Sequence, residues 1–411
     1  MAARSSLVRR GDRGGRAHCR QERGVALLAA VMALALIGVL VAGAFFASSL
    51  EQRTAHNVVA AAAARAAAEA GLDDVIANAR AGDFPFGLAD SVTYAADVGP
   101  AGWPASTSYS VWVFPLNPAL YLVKSRGTSR GITSTLAELT KPAAASAPIA
   151  AALTVGAPVT FTGGAFRIDG NNADPAGGTG CPGVPLPAQL FALRSQSGSG
   201  VTPETWPNLL GIAGPGAPAG QGSALADDPT VGPLLSALFA TGGTYDQLRA
   251  VATWALPAGT YVARQPSTIQ VEGTARCNVA DDRNWGEPRS GTGATPECRT
   301  HLPVVLGTSG FGSPFVVAGG RGQGVLLADG DLVLTDGFEW TGLILVKGSF
   351  SIIGAGATVQ GAVVAQNGGT PPGNVLGDNA TIAYSSCAVA RALSAVAPLR
   401  PIAMRPWTQL F

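Results

Sequence analysis

Apolar residues change their period along this chain, and each change marks a different element. Val25 to Leu50 is a run of 26 residues without one charge. As a helix it reaches about 39 Å, enough to cross about 30 Å of hydrocarbon. From Glu51 to Ala79 the only glycine is Gly71, there is no proline, and alanine dominates. Alanine is the strongest helix former, so one helix of about 55 residues, roughly 80 Å long, is predicted over residues 25–80. The charges on its outer half are Glu51, Arg53, Arg65, Glu69, Asp73 and Asp74. A helix covered in such small side chains lets other helices approach closely. Gly82-Asp83-Phe84-Pro85 ends it.

Beyond the helix the period falls to two. Tyr109–Phe114, Ala119–Lys124 and Ile132–Leu139 alternate at strand spacing, joined by Pro115–Pro118 and Gly127–Gly131. They predict a small antiparallel meander over residues 83–141, laid against the helix. Lys141–Pro148 reads as a linker, and residues 149–387 as a β-rich head. Within the head, Pro158–Gly170 gives two short strands, and residues 171–257 read as an insertion with helices near Val231–Ala240 and Tyr245–Trp254. Residues 388–411, with Arg391, Arg400, Arg405, Trp407 and Phe411, form a C-terminal strap. The fold class is α+β.

Residues 325–368 repeat. Val325–Gly342 is 18 residues, Leu343–Gly361 is 19 and aligns with it strand for strand, and a third copy begins at Ala362. Three short strands per copy, each closed by glycine, is the pattern of a short parallel β-solenoid. Coils bury their inward residues only by stacking, so caps are required. Residues 158–170 and Pro303–Val317 are the candidate caps, and Leu327, Val333, Leu345, Ile352 and Val364 the candidate inward positions. A compact antiparallel sandwich is the alternative.

Composition agrees with many short strands: Gly 54 and Pro 29 among 411 residues, with only 13% charged. Net charge is +1, so no overall field draws nucleic acid, and the sequence shows neither a phosphate-binding loop nor a basic–aromatic stripe. The charge is concentrated at the start, where residues 1–24 hold seven arginines against Asp12 and Glu22. That flank places the N-terminus in the cytoplasm and sends the rest of the chain across the membrane. A cleaved secretory signal would have a shorter apolar core followed by a small-residue site. Here the small stretch Ala42-Gly43-Ala44 lies inside the span, whereas Arg23-Gly24-Val25 stands at its cytoplasmic edge.

Gly24 followed by an apolar helix resembles the class III prepilin signal of type IV pilin-like proteins. Leu50-Glu51-Gln52-Arg53-Thr54-Ala55-His56-Asn57 and Ala67-Ala68-Glu69-Ala70-Gly71-Leu72 are similar to the amino-terminal region of PilX-type minor pilins. There an acidic–basic–Asn stretch follows the span, and an Ala-Glu-Ala-Gly-Leu stretch follows that. The resemblance covers residues 20–80. It implies removal of residues 1–24 after Gly24 by a prepilin peptidase, methylation of Val25, and assembly with other pilins into a fibre at the cell surface. Glu51, Asn57, Glu69 and Gly71 are its matched helix positions. One position departs: most major pilins carry glutamate five residues after the cleaved glycine, and this chain has Ala29. The resemblance therefore implies a minor subunit that helps start assembly. A pilus-borne adhesin, marked by exposed Trp206, Tyr245 and Trp254, and a membrane-anchored polysaccharide enzyme are the alternatives.

Chemistry-bearing residues are sparse, and no catalytic residue or cofactor is assigned. Histidines number three (His18, His56 and His301). Cleavage after Gly24 removes Cys19 and leaves Cys181, Cys277, Cys298 and Cys387, an even set suited to two disulfides in an oxidising compartment. Cys277 with Cys298 and Cys181 with Cys387 is the pairing favoured; a zinc site at Cys277 and Cys298-x-x-His301 is the rival. Gly127-Thr-Ser129-Arg-Gly131 matches a nucleophile elbow, but the strands on both sides make it a hairpin. Asp329, Asp331, Asp336 and Glu339 read as solvated turn residues, with calcium as the alternative.

Overall fold

The computed structural model describes residues 23–85, 89–117, 119–143, 147–173, 189–198, 200–202, 204–215, 222–263, 268–271, 273–288, 295–309, 313–366, 373–377, 379–402 and 407–410. Two compact units divide the chain, Met1–Ala62 and Ala63–Phe411.

The described residues of the first unit are helix. α1 runs Arg23–Asn78, and up to Val59 its apolar side chains stand in the open: Val25, Leu28, Val31, Leu40, Phe45 and Val58 are all exposed. Its hydroxyls turn inward to the helix itself. Ser49 Oγ donates to Phe46 O (2.8 Å) and Thr54 Oγ1 to Leu50 O (2.9 Å), which hides two polar groups beside the apolar run.

In the second unit the last turns of α1 become one wall of a core. Ala64, Ala67, Ala68, Leu72, Val75 and Ala79 are buried at helical spacing. They lie on an antiparallel sheet of β1 (Val92–Val98), β2 (Thr107–Asn117), β3 (Leu120–Ser129) and β4 (Ile132–Pro142). Tyr109, Val111, Val113, Tyr121 and Val123 point at the helix from alternate positions. Arg130 (φ 49°) and Gly131 (φ 81°) form the two-residue turn between β3 and β4, since Ser129 pairs with Ile132. The hairpin reading of this segment holds.

The chain next enters the middle of a stack of three-sided coils. β5 (Ala151–Val155), β6 (Val159–Phe161) and β7 (Arg167–Asp169) make one coil, and β8 (Phe191–Ser195), β9 (Leu209–Leu210) and β10 (Ala224–Leu225) continue to one end. Two helices follow, α2 (Val231–Phe239) and α3 (Thr244–Ala250), close to their expected places. They lead to β11 (Trp254–Leu256) and β12 (Gly259–Tyr261) at the opposite end. There the hairpin of β13 (Thr268–Val271) and β14 (Thr274–Cys277) and the short α4 (Pro296–Thr300) precede the next coil. The chain then winds back through β15 (Val304–Gly307), β16 (Phe315–Ala318), β17 (Arg321–Ala328), β18 (Leu332–Thr335), β19 (Phe338–Val346), β20 (Phe350–Ile352), β21 (Ala357–Ala365), β22 (Asn374–Leu376) and β23 (Ala380–Tyr384).

Every pairing between the strands of this stack is parallel among the described residues, and the repeat aligns as its sequence requires. Val325 sits beside Leu343 and Leu343 beside Ala362. Gly324, Gly342 and Gly361 stack at the middle of β17, β19 and β21 with φ of 106°, 141° and 148°, so each long strand serves two sides of its coil.

The stack is longer than the repeat suggested. β21, β22 and β23 pair with β5, β6 and β7, so the returning chain closes on the coil where it entered. Residues 158–170 therefore belong to the coil where the chain entered and supply β7, an interior rung between β23 and β9, and β6, the last strand on its own side. Strands β8 to β10, read as part of an insertion, belong to the same stack. Asn374 bolts the closure: its Oδ1 accepts from Phe350 N (2.9 Å) and its Nδ2 donates to Ala157 O and Pro158 O (3.2 and 3.3 Å).

Inside and outside are also partly exchanged. Of the five positions expected inward, Ile352 lies between the sides. Leu327, Leu345 and Val364 point outward into a second core, covered by α2, α3 and α5 (Ser386–Ala395). Val333 is half-buried on another side. The true interior is Leu326, Ala328, Leu332, Leu334, Ile344, Val346 and Val363. Both parities of these strands are apolar because both faces are covered, which removes the alternation that would have fixed direction.

The C-terminal strap is a helix and two edge strands. Ser385 Oγ caps α5 by accepting Ala388 N at 3.2 Å. β24 (Leu399–Pro401) and β25 (Trp407–Leu410) then pair with β4 in the meander.

Candidate functional site

Of the predicted processing and helix positions, Gly24 lies in the first turn of α1, and Val25, Ala29, Glu51 and Asn57 are all exposed along it. Val25–Asn78 is long and apolar enough to cross a membrane, with a mean hydropathy of 2.9 in its best window. Among the described residues of the first unit, what meets the surroundings is helix surface, mostly apolar, which suits packing. Glu69 is exposed and pairs with Arg65 at 3.1 Å, a surface pair worth little by itself.

Gly71 has a different place. A Cβ there would press on Ser125 Oγ, Tyr109 Cδ2 and Val111 Cγ2, so glycine is what allows helix and sheet to touch. Gly127 of β3 meets the Ala64 carbonyl in the same way. Three residues after Gly71, Asp74 Oδ2 accepts from Tyr109 Oη at 2.9 Å. Burial first, and the hydrogen bond to Asp74 second, push the Tyr109 phenol up to about 12. The seam is tight and registers the helix on the head. Gly71 stood out in the sequence through resemblance; Gly127 did not, because its partner is 63 residues away.

Cys277 and Cys298 form a disulfide, as favoured over zinc. The loop they close caps the open end of the stack. Trp285 is fully buried, edge-on to Phe338 and Trp340 at centroid distances of 6.1 and 6.3 Å. Trp285 O accepts from Gln323 N at 2.8 Å, extending the coil by one rung. Gln323 Nε2 returns to the carbonyls of Cys298, Arg299 and His301, satisfying the end of α4. Cys387 is also disulfide-bonded; Cys181 lies outside the described residues.

Asp329 is no solvated turn residue. It accepts from Tyr245 Oη at 2.9 Å and pairs with Arg249 (3.1 Å) and Lys347 (3.7 Å), joining α3 to two neighbouring coils. Lys347 also lies over the Tyr245 ring at 4.4 Å. Asp331 accepts from Ser349 N at 2.7 Å, while Asp336 is exposed with φ 57° in a turn. Among the described residues no three His, Cys, Asp or Glu are grouped to hold a metal. Of the aromatics that would mark an adhesive insertion, Tyr245 is fully buried, and Trp206 and Trp254 are half-buried.

A cavity of about 450 Å³ opens where Arg80–Pro85, the end of α5 and the cap loop meet. Arg80, Asp83, Glu297, Thr300 and His301 line it among apolar side chains. Burial lowers the His301 imidazole, so it sits there neutral, and raises the Asp83 carboxyl against its bond from Arg80 N.

The fold is thus that of an α+β protein whose N-terminal helix is half exposed and half built into a β-rich head. No protein-family model and no curated protein matches the sequence. Among solved structures it is similar to the competence-associated pilin ComZ from Thermus thermophilus. Identity is 11%, over 86% of this chain and 96% of that one, with a TM-score of 0.23.

Proposed function

We propose that this chain is a minor pilin-like subunit of a type IV pilus or related fibre, of the PilX type, and that it is not an enzyme. The observation that carries this is the division of α1. Its first stretch exposes apolar residues from Val25 to Val59, while Ala64 to Ala79 are built into the head. An apolar surface of that length has two stable environments, a bilayer or other helices. A prepilin peptidase would cut after Gly24 and methylate Val25. The helix holds the subunit in the inner membrane until assembly, and then packs among other pilin helices with the head outside. An enzymatic reading has less behind it, because Asp329 and Asp331 of the first repeat are already bound within the fold.

Co-expression with a prepilin peptidase tests the reading. Mature protein beginning at Val25, and full-length protein from Gly24→Ala, are the expected results by N-terminal sequencing. Cleavage near Ala44 by an ordinary signal peptidase would refute it.

A further inference from the structure

The meander has a second face, turned away from α1, whose residues the fibre reading does not use. Strand register puts Phe114, Leu122 and Leu139 in one row across β2, β3 and β4. Trp112, Lys124 and Ala137 form the next row, and Ser110, Arg126 and Thr135 the third. At the far edge Lys141 of β4 pairs with Arg400 of β24, on the same side as Leu139. Arg126, Lys141, Arg400 and Leu139 are exposed; Trp112, Phe114, Leu122 and Lys124 are half-buried. The Arg126 guanidinium lies 5.5 Å from the centre of the Trp112 ring.

Charge is one-sided here, although the whole chain carries only +1. Lys124, Arg126, Lys141 and Arg400 share the face, and none is in an ion pair among the described residues. The acid at its rim, Asp97, is engaged by Ser110 Oγ at 3.2 Å. A complementary partner is therefore anionic.

We propose that this face binds single-stranded nucleic acid. Cations alone would suit any polyanion, but here they are interleaved with two aromatic rings, Trp112 and Phe114, at mid-sheet positions of the same face. Trp112 and Phe114 are two positions apart on β2, about 7 Å. Unpaired bases stack on such rings while lysine and arginine neutralise the phosphates, and a duplex would keep its bases out of reach. An anionic lipid surface matches the charge but not the shape, since rings that insert into lipid project from a tip and do not lie mid-sheet. The inference does not depend on the fibre reading.

The test uses the full chain in detergent micelles with a fluorescent deoxythymidine 20-mer, read by anisotropy across salt concentrations. Binding should weaken with salt, with a slope of about 0.7 for each contacted phosphate. The double variant Lys124→Gln, Arg126→Gln should lose at least tenfold in affinity and flatten that slope by about 1.4. Trp112→Ala should lose about tenfold and keep the slope. Arg283→Gln, an exposed charge on the cap loop, should bind as the parent does. Thermal unfolding checks that each variant is folded; the lysine–arginine pair is on the surface and keeps the test open should Trp112→Ala misfold. The proposal is overturned by absence of binding at 100 mM salt. It is equally overturned by binding that the double variant leaves unchanged, or by face-dependent binding to anionic vesicles without binding to the oligonucleotide.

Discussion

Gly127 of β3 lies against the carbonyl oxygen of Ala64 in α1, with no room for a side chain between them. Both the Ala64 carbonyl and the Ala68 amide would obstruct a Cβ, and backbone cannot swing aside as a side chain can. Gly127→Ala should therefore destabilise the head by about 3 kcal/mol. Gly99→Ala, where a Cβ meets only Thr107 O at 3.6 Å, should stay within about 0.5 kcal/mol. Chemical denaturation followed by circular dichroism measures both.

The outward core under the helices predicts a contrast between two valine- and leucine-bearing rungs. Leu345 is fully buried against α2, α3 and α5, so Leu345→Asp should cost several kcal/mol and release the helices. Val333→Asp, half-buried on an open side, should cost about 1 kcal/mol. Similar losses for the two would mean that the coil sides are assigned the wrong way round.

Opening the Cys277–Cys298 disulfide should loosen the cap. A loop of this length contributes about 3 kcal/mol. Cys277→Ser with Cys298→Ser should lower the melting temperature, and amide exchange should rise first in residues 284–287 and β17, which rest on the cap. Uniform exchange across all coils would contradict the capping role.

His301 predicts an acid sensitivity. It is neutral in the fold because burial lowers its pKa below the usual 6.5. Below about 6.5 the unfolded chain binds a proton that the folded chain does not, so stability falls as pH falls towards the folded value. Arg80, Asp83 and Glu297 face the same cavity. Asp83, whose pKa is raised, acts in the opposite sense but at lower pH, in the carboxylate range. Urea midpoints between pH 7 and 5.5 should drop in the parent and flatten in His301→Gln.

Ala29 bears on position in the fibre under the proposed function. Without a carboxylate there, the subunit cannot neutralise a neighbour's N-terminal amine, though its own Val25 amine can still be neutralised by another subunit's glutamate. Deleting the chain should reduce the number of fibres more than their length. Ala29→Glu should spread the subunit along the shaft, as counted by gold labelling. Fibres containing the parent chain at a stoichiometry near that of the major pilin would rule this out.

What the sequence determined by itself was whatever rests on local periodicity. The uncharged run from Val25 and the alanine-rich stretch after it specify one helix, because length and propensity leave no competitor. Two-residue alternation specified β2, β3 and β4, and an 18- to 19-residue repeat specified parallel coils, since stacking demands equal rungs. Spacing also selected Cys277 with Cys298. The tertiary structure alone decided three things. Val363 beside Leu153 closes the stack across 210 residues, and no window of sequence contains both partners. The direction of Leu345 was hidden because both faces of its strand are buried, which erases the alternation that reports direction. The face of Trp112, Lys124, Arg126, Lys141 and Arg400 is spread over four strands, so the charges that register brings onto one side look scattered along the chain.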